Sequence, residues 1–363
     1  MANAKAKRQD EFYTQLVDIE NELKNYKDFF KNKTVFCNCD DPFESNFFRY
    51  FAINFNHLGL KKLICTCYAG SPVSYTELDD LPLFHKDERL PYKIEITEVP
   101  DMNGDGAVDL SDIELLLKSS NNNLTILDGD GDFRSEESIE FLKESDVVVT
   151  NPPFSLFKEF VDQLVEYDKK FIILGNNNAI TYKGVFNLIM KNKMWLGYHC
   201  NKTMEFRLSD EYKTWNRIEK GIKYGKVPAI SWFTNIDTKN RHEKMIFYKK
   251  YNNDDYPKYV TYDAIDVGKV SEIPEDYYGD LGVPKTFMQD YNPDQFEIIG
   301  YEREDENIKI GIQRMGEKFI EDYRRQGGRG HYTSNMKMLC YYDKNGKAKI
   351  PFSRIIIRRK HEN

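Results

Sequence analysis

Residues 146–157, DVVVTNPPFSLF, decide how the rest of this chain is read. The apolar run Val147-Val148-Val149 stops at Asn151-Pro152-Pro153-Phe154, and an amphipathic segment, SLFKEFVDQLVEY, begins at once. A short β-branched run bounded by a turn signal reads as a buried parallel strand. Pro152 pushes Asn151 out of the helical region, and Pro153 restricts Pro152 in the same way. Asn151 is therefore held extended at the carboxyl end of a strand, where open α/β sheets place their ligands.

The chemistry suits those residue types. The exocyclic amine of adenine has its lone pair delocalised into the ring, so alkylating it calls for acceptors aimed at its N–H bonds. Asn151 offers a carbonyl oxygen with two lone pairs. Proline has no N–H, which keeps this stretch out of a regular ladder and leaves the Pro152 carbonyl open to a ligand. Both prolines reduce backbone entropy and so preorganise the segment. Phe154 offers a flat face for a planar base, a contact that costs about 1–3 kcal/mol when lost. On its own, Asn-Pro is equally a plain turn signal. The strand before it and the helix after it favour a site.

Outward from this segment, strands and helices alternate. A helix is expected over Glu11–Phe30, strands over Thr34–Asn38 and Lys62–Cys67, and a helix over Ser45–Leu58 stopped by Gly59. Further strands are expected near Lys93–Thr97, Asn123–Leu127 and Lys170–Leu174, with helices over Ser135–Glu144 and Tyr182–Lys193. The fold class that follows is α/β, with a mixed, mostly parallel, doubly wound sheet. Beyond Trp195 the pattern weakens, with strand-like pieces at Ala229–Thr234, Lys244–Tyr248 and Ile355–Ile357. Gly327-Gly328-Arg329-Gly330 reads as a mobile basic loop. The division expected is residues 1–197 as the catalytic domain, carrying an acidic insert at 98–122, and 198–363 as a recognition region that partly completes the core.

The 363 residues are 40% hydrophobic and 14% aromatic, enough for a sizeable core and unlike a disordered chain. No run of apolar residues is long enough to span a membrane. MANAKAKRQDEF lacks the apolar segment of a secretory signal, so the expectation is a soluble, cytoplasmic protein; a monomer is expected as well. Net charge is −7, but it is unevenly spread. Residues 98–146 hold 14 acids and 3 bases, whereas 314–363 hold 13 bases and 5 acids. A basic C-terminal region suits phosphate contact, although a solvated charged face explains any single stretch equally well. Cys37/Cys39 and Cys65/Cys67 lie at period two on expected strands. Four such thiols could bind zinc, but buried free cysteine is the plainer reading.

In the acidic insert, Asp101, Asn103, Asp105, Asp109 and Asp112 fall at positions 1, 3, 5, 9 and 12 of a calcium loop, with Gly106 at position 6. A structural calcium ion and an empty acidic turn both fit this pattern, and the sequence does not separate them.

Several stretches together resemble a known family. DEFYTQ at 10–15, CNCDDP at 37–42, SNFF at 45–48, GLKKLI at 59–64, GDGDFRS at 129–135, VVTNPPFSLFKE at 148–159, YDKKF at 167–171, ITYK at 180–183, WLG at 195–197, YPKY at 256–259 and YDAI at 262–265 resemble the EcoRI-type adenine-specific DNA methyltransferases. The resemblance implies a Rossmann-like S-adenosylmethionine fold and methyl transfer to adenine N6 in double-stranded DNA. It makes Asn151, Pro152, Pro153 and Phe154 the catalytic motif. It implies donor contacts at Asp132 and Phe133, in the closing segment Phe12, Tyr13 and Thr14, and in the loop Asn38, Cys39, Asp40, Asp41 and Pro42.

The chain departs from common methyltransferase patterns in two places. No glycine lies between Cys37 and Asn46, and the second strand ends without an acidic residue to hold ribose hydroxyls. The resemblance weakens over 198–250, where Lys202, Arg207 and Arg217, with His199 and Trp215, are candidate DNA contacts; Arg325 and Arg329 are candidates in the basic end. Asn-Pro-Pro-aromatic also serves methyltransferases acting on cytosine N4, RNA adenine or protein glutamine, so those acceptors stay open. A calcium-dependent interaction module is a further alternative.

Overall fold

The computed structural model describes residues 13–39, 45–68, 90–119, 124–208, 213–302 and 309–361. Two compact units emerge, one of residues 1–182 with 196–236 and one of 183–195 with 237–363. This differs from a division at 197/198, because the segment after 198 adds strands to the first unit's sheet.

In the first unit the chain runs β1 (Tyr13–Thr14), α1 (Leu16–Leu23), β2 (Thr34–Cys37), α2 (Asn46–Ile53), β3 (Lys62–Thr66), β4 (Tyr92–Ile96), α3 (Leu110–Ser119), β5 (Leu124–Ile126), α4 (Glu136–Glu144), β6 (Val147–Thr150), α5 (Phe157–Glu166), β7 (Lys170–Asn176), β8 (Lys202–Leu208), β9 (Arg217–Glu219) and β10 (Ile222–Thr234). The strand order is β1-β8-β10-β7-β6-β2-β3-β4-β5, with β9 on β10. The four central strands are parallel, and the flanks are antiparallel. This is the mixed sheet with a parallel centre that the sequence implied.

Side-chain alternation sorts the central strands onto two faces. Val35, Cys37, Leu63, Cys65, Val147, Val149, Ile172 and Leu174 share one core with Ile19 and Leu23 of α1 and Phe47 and Phe51 of α2. The opposite face meets α4 and α5. Phe36 lies edge-on to Phe141 at 6.3 Å, and Gly175 leaves room for the Phe157 ring, which would stand 2.4 Å from a Cβ there. Helices thus cover both faces of a parallel centre, as such sheets require. Gly59 ends the α2 region in the left-handed conformation (φ 62°), as its stop signal predicted.

Two details bear on the site. β1 falls inside the expected Glu11–Phe30 helix; it is a strand because β8 supplies a partner, with Tyr13 opposite Arg207 and Thr14 opposite Phe206. α1 is fastened to the chain entering β8 by Glu22, whose side chain is fully buried. Its carboxylate accepts from the Tyr26 hydroxyl at 2.9 Å, the Tyr198 N–H at 2.9 Å and the His199 N–H at 2.8 Å, and it contacts His199 Nδ1 at 2.8 Å. A Cβ on Gly197 would stand 2.3 Å from Glu22 Oε1, so only glycine fits.

The second unit begins with α6 (Lys183–Met190) and builds a smaller sheet from β11 (Ala264–Asp266), β12 (Asp280–Pro284), β13 (Phe296–Tyr301) and, beyond α7 (Glu317–Arg325), β14 (Tyr341–Tyr342) and β15 (Ala348–Lys349), from β16 (Arg354–Arg359). β16 includes the expected strand Ile355–Ile357. Lys244–Tyr248 is irregular rather than a strand. No helix among the described residues is long and apolar enough to cross a membrane.

Candidate active site

The strand order reverses between β2 and β6. β3 lies on one side of β2, and β6 and β7 lie on the other, so the carboxyl ends of β2 and β6 flank the switch-point crevice where open α/β sheets bind ligands. Their amino ends are fixed by Asp146. Its N–H donates to the Thr34 carbonyl at 2.9 Å, and its carboxylate accepts from the Thr34 N–H at 2.7 Å. Phe36 stands opposite Ile64 and Val148. Two residues further along the chain from each come Asn38, just past β2, and Thr66 and Thr150, the last residues of β3 and β6. All three are buried. The row is polar, whereas the row below it is apolar.

Asn151 follows directly and is 6% exposed. Pro152 is buried beside it. Pro153 is extended (φ −54°, ψ 123°), and its carbonyl accepts from the Leu156 N–H at 2.9 Å, closing the short turn Phe154–Leu156 that leads into α5. Phe154 is half-buried and packs against the main core. The four residues expected to act together therefore form one rigid corner at the switch point.

Asp132 and Phe133 lie in the loop after β5, which is seated at the end of β3. Gly131 has φ +76°, and a Cβ there would stand 2.2 Å from the Cys67 carbonyl oxygen, so the loop's close approach to the strand requires glycine. Phe133 is buried edge-on to Phe160 at 5.1 Å. Asp132 accepts from Arg134 Nε at 2.8 Å and Nη2 at 2.7 Å. Burial pushes the Asp132 carboxyl up, but the hydrogen bonds from Arg134 outweigh that and hold it below the usual range. Arg134 also lies 5.1 Å from the Phe133 ring centre. The sequence reading missed Gly131 and Arg134 as site residues, although GDGDFRS contains both.

Tyr13 and Thr14 are buried in β1. Asn46, at the start of α2, donates from Nδ2 to the Thr14 carbonyl at 2.7 Å, tying the N-terminal segment to the helix that follows the expected donor loop. Asn38 is buried, and its Oδ1 accepts from Cys39 Sγ at 3.5 Å. Phe12, Asp40, Asp41 and Pro42 lie outside the described residues.

These residues fit the expected donor chemically. S-adenosylmethionine carries a ribose, an adenine, an amino acid and a sulfonium, but no phosphate. No glycine-rich turn follows β2: there is no glycine between Cys37 and Asn46. The edge is instead polar: the hydroxyls of Thr66 and Thr150 are buried with no hydrogen-bond partner among the described residues.

The candidate DNA contacts fall in both units. Lys202 is exposed at the start of β8. Arg207 lies 5.4 Å from the Tyr13 ring centre. Arg217 bonds to Glu205, with Nη2 to Oε2 at 2.7 Å, and to Glu219, and it stacks 3.9 Å from the Tyr224 ring centre; its charge is thus largely compensated within the protein. In the second unit Arg325 pairs with Asp322. Arg329 is exposed, and its carbonyl accepts from the Tyr323 hydroxyl at 3.0 Å.

The calcium expectation finds no support. Among the described residues no group of three or more His, Cys, Asp or Glu is placed to hold a metal. The loop's oxygens turn to its own chain instead. Asp101 accepts from the N–H groups of Gly104 at 2.6 Å and Gly106 at 2.8 Å. Asp105 accepts from Ala107 at 2.9 Å, and Asp109 from Ser111 at 2.7 Å. Asn103 Oδ1 accepts from the Asp105 N–H at 2.9 Å. Asp112 accepts from the N–H groups of Met102 at 2.7 Å, Asn103 at 3.1 Å and Asp109 at 2.9 Å. Cys37, Cys65 and Cys67 are buried in the core.

A model of the family described as "Adenine-specific methyltransferase EcoRI" matches residues 1–360. The chain is 45% identical over 312 residues to the Type II methyltransferase M.EcoRI of Escherichia coli, covering 83% of this chain and 88% of that one. It is 40% identical over 305 residues to the Type II methyltransferase M.MgeORF184P of Mycoplasma genitalium, covering 82% and 84%. It is 38% identical over 304 residues to the Type II methyltransferase M.MpnI of Mycoplasma pneumoniae, covering 82% and 83%. No solved structure matches the chain.

Proposed function

From the premise that this chain belongs to the EcoRI family of adenine-specific methyltransferases, we propose that it methylates the N6 amino group of adenine within a specific site of double-stranded DNA. S-adenosylmethionine, when bound, supplies the methyl group on a sulfonium. The protein's task is placement. A base inside a duplex cannot reach Asn151, so it is flipped out, at a cost of a few kcal/mol of unstacking. Phe154 stacks on it. The Asn151 side-chain oxygen and the Pro152 carbonyl accept the two amino hydrogens, turning the nitrogen lone pair toward the donor. No strong base is required, because the amine is neutral and the transfer is direct. Asp132, Phe133, Tyr13, Thr14 and the loop from Asn38 hold the donor so that nitrogen, methyl carbon and sulfur align.

The observation that carries this reading is the switch-point geometry: Asn151 and Asn38 end adjacent parallel strands. Nothing in the comparisons favours cytosine, RNA or protein acceptors, or a calcium module. The chain acts as a monomer in the cytoplasm in this reading, with residues of β8 to β10 and of the second unit contacting DNA. Labelled methyl transfer offered in parallel to DNA, RNA and protein tests it. Label is expected in DNA as N6-methyladenine; label in RNA or protein alone overturns the reading.

A further inference from the structure

β10 runs antiparallel to β7 and pairs with it only from Ile230, opposite Asn176, onward. Asn176 is the carboxyl end of β7, so the eight residues Ile222 to Ala229 stand past the carboxyl edge of the sheet, the same edge that presents Asn151. This overhang does not run as a lone strand. β8 pairs along one side of it, from Lys223–Leu208 to Val227–Met204, and β9 along the other, from Arg217–Tyr224 to Glu219–Ile222. The register breaks between Val227 and Ile230, and Ala229 is at φ 57°, so the strand bends where it leaves the sheet. At its tip, Lys220 (φ 48°) and Gly221 (φ 83°) make the two-residue turn that suits a tight hairpin. At about 3.3 Å per residue the ribbon extends roughly 26 Å.

We propose that this ribbon is the surface that seats the duplex beside the flipped base. The inference rests on the methyltransferase reading and adds the element that holds the DNA. Its placement is the first argument, since a duplex delivering a base to Asn151 lies against whatever projects from that edge. Its charge is the second. Residues 213–226 carry five bases and one acid, in a chain of net charge −7. Arg217 is engaged by Glu205 and Glu219 and lies flat on Tyr224, bracing the ribbon. Lys213, Lys220, Lys223 and Lys226 supply the rest of the positive charge, with the Lys223 ammonium 4.8 Å from the Trp215 ring centre, and suit phosphate. The third argument is the exposed apolar pair beside those lysines: Trp215 is 46% exposed and Ile218 is 53% exposed. Large apolar groups left in solvent next to cations suit a groove wall or a base step better than bulk water. A two-stranded ribbon is also of a size that a DNA groove admits.

The test first finds the methylated site by long-read sequencing of a host expressing the chain. A 30-base-pair duplex carrying that site, and a scrambled one, then serve as probes. Lys220→Glu/Lys223→Glu is expected to weaken binding to both duplexes at least tenfold and to flatten the salt dependence by about two units of log–log slope. Trp215→Ala is expected to weaken the site duplex more than the scrambled one. Binding of S-adenosylhomocysteine and thermal midpoint should stay at wild-type values in all variants. Wild-type DNA affinity and salt slope in Lys220→Glu/Lys223→Glu, with folding intact, overturn the proposal. If that variant does not fold, Lys220→Gln/Lys223→Gln is read by the same criteria, with half the slope change or more expected. A dimer in solution that Trp215→Ala dissociates, with DNA affinity unchanged, also overturns it. Failure of the wild-type chain to methylate DNA would instead strike the methyltransferase reading.

Discussion

The corner after β6 is held from outside, and the acidic loop before α3 is held from inside. Asn151 sits where it does because β2 and β7 flank β6, because Asp146 pins the far end of that strand, and because α5 starts against Gly175. In residues 101–112 the carboxylates that could have served a ligand are the groups that fold the loop, bonded to the N–H groups of Gly104, Gly106, Ala107, Ser111, Met102, Asn103 and Asp109. The two loops thus differ in where their support comes from: neighbouring strands and a helix in one, the loop's own carboxylates in the other.

Variants at the two loops break this contrast in different ways. Asn151→Ala is expected to lower methyl transfer by on the order of 10³ or more, by analogy with losing a preorganised hydrogen-bonding group. Donor affinity, measured by calorimetry with S-adenosylhomocysteine, should change little; undiminished turnover would remove the catalytic assignment. Gly131→Ala attacks the outside support of the loop after β5. The added methyl meets the Cys67 carbonyl at a left-handed φ, so unfolding in urea should show a loss of about 2 kcal/mol or more, accompanied by weaker donor binding.

Asp112→Ala should loosen only the acidic loop, seen as faster amide exchange at Met102, Asn103 and Asp109, with methylation rate retained. The N–H of Asp109 and the N–H groups of Asn103 and Met102 hold the Asp112 carboxyl below its usual range. A depressed carboxyl stabilises above its unfolded pKa and loses that contribution as pH falls through the folded value. Exchange in this loop should therefore rise only below about pH 4 and stay flat near neutrality. The smallest effect concerns the ion itself. Millimolar calcium should produce no binding heat and no shift in thermal midpoint, and a clear isotherm would reverse the account of this loop.

The site corner was legible because covalent geometry writes it: β-branched residues favour the strand, two prolines fix the turn, and the following 3.6-residue period specifies the helix. Parts that depend on a distant partner were not. Tyr13 and Thr14 sit inside a helical pattern and become a strand only because β8 lies beside them. Gly131 reads as a turn residue, while its real constraint is the Cys67 carbonyl of another element. β10 was visible only over Ala229–Thr234, where it is apolar and buried; its polar first half is a strand by virtue of β8 and β9. At the Gly327–Gly330 loop nothing in the sequence signalled that the Tyr323 ring fills the space beside Gly328 or that its hydroxyl bonds the Arg329 carbonyl at 3.0 Å.

Two of the four contacts of the Glu22 carboxylate are to main-chain amides, those of Tyr198 and His199, at the root of the overhanging ribbon. Every residue type except proline presents that amide, so the anchorage tolerates substitution in the strands that follow, provided Gly197 stays. Relatives could exchange their reading heads, and with them the DNA words they mark, without rebuilding the mount.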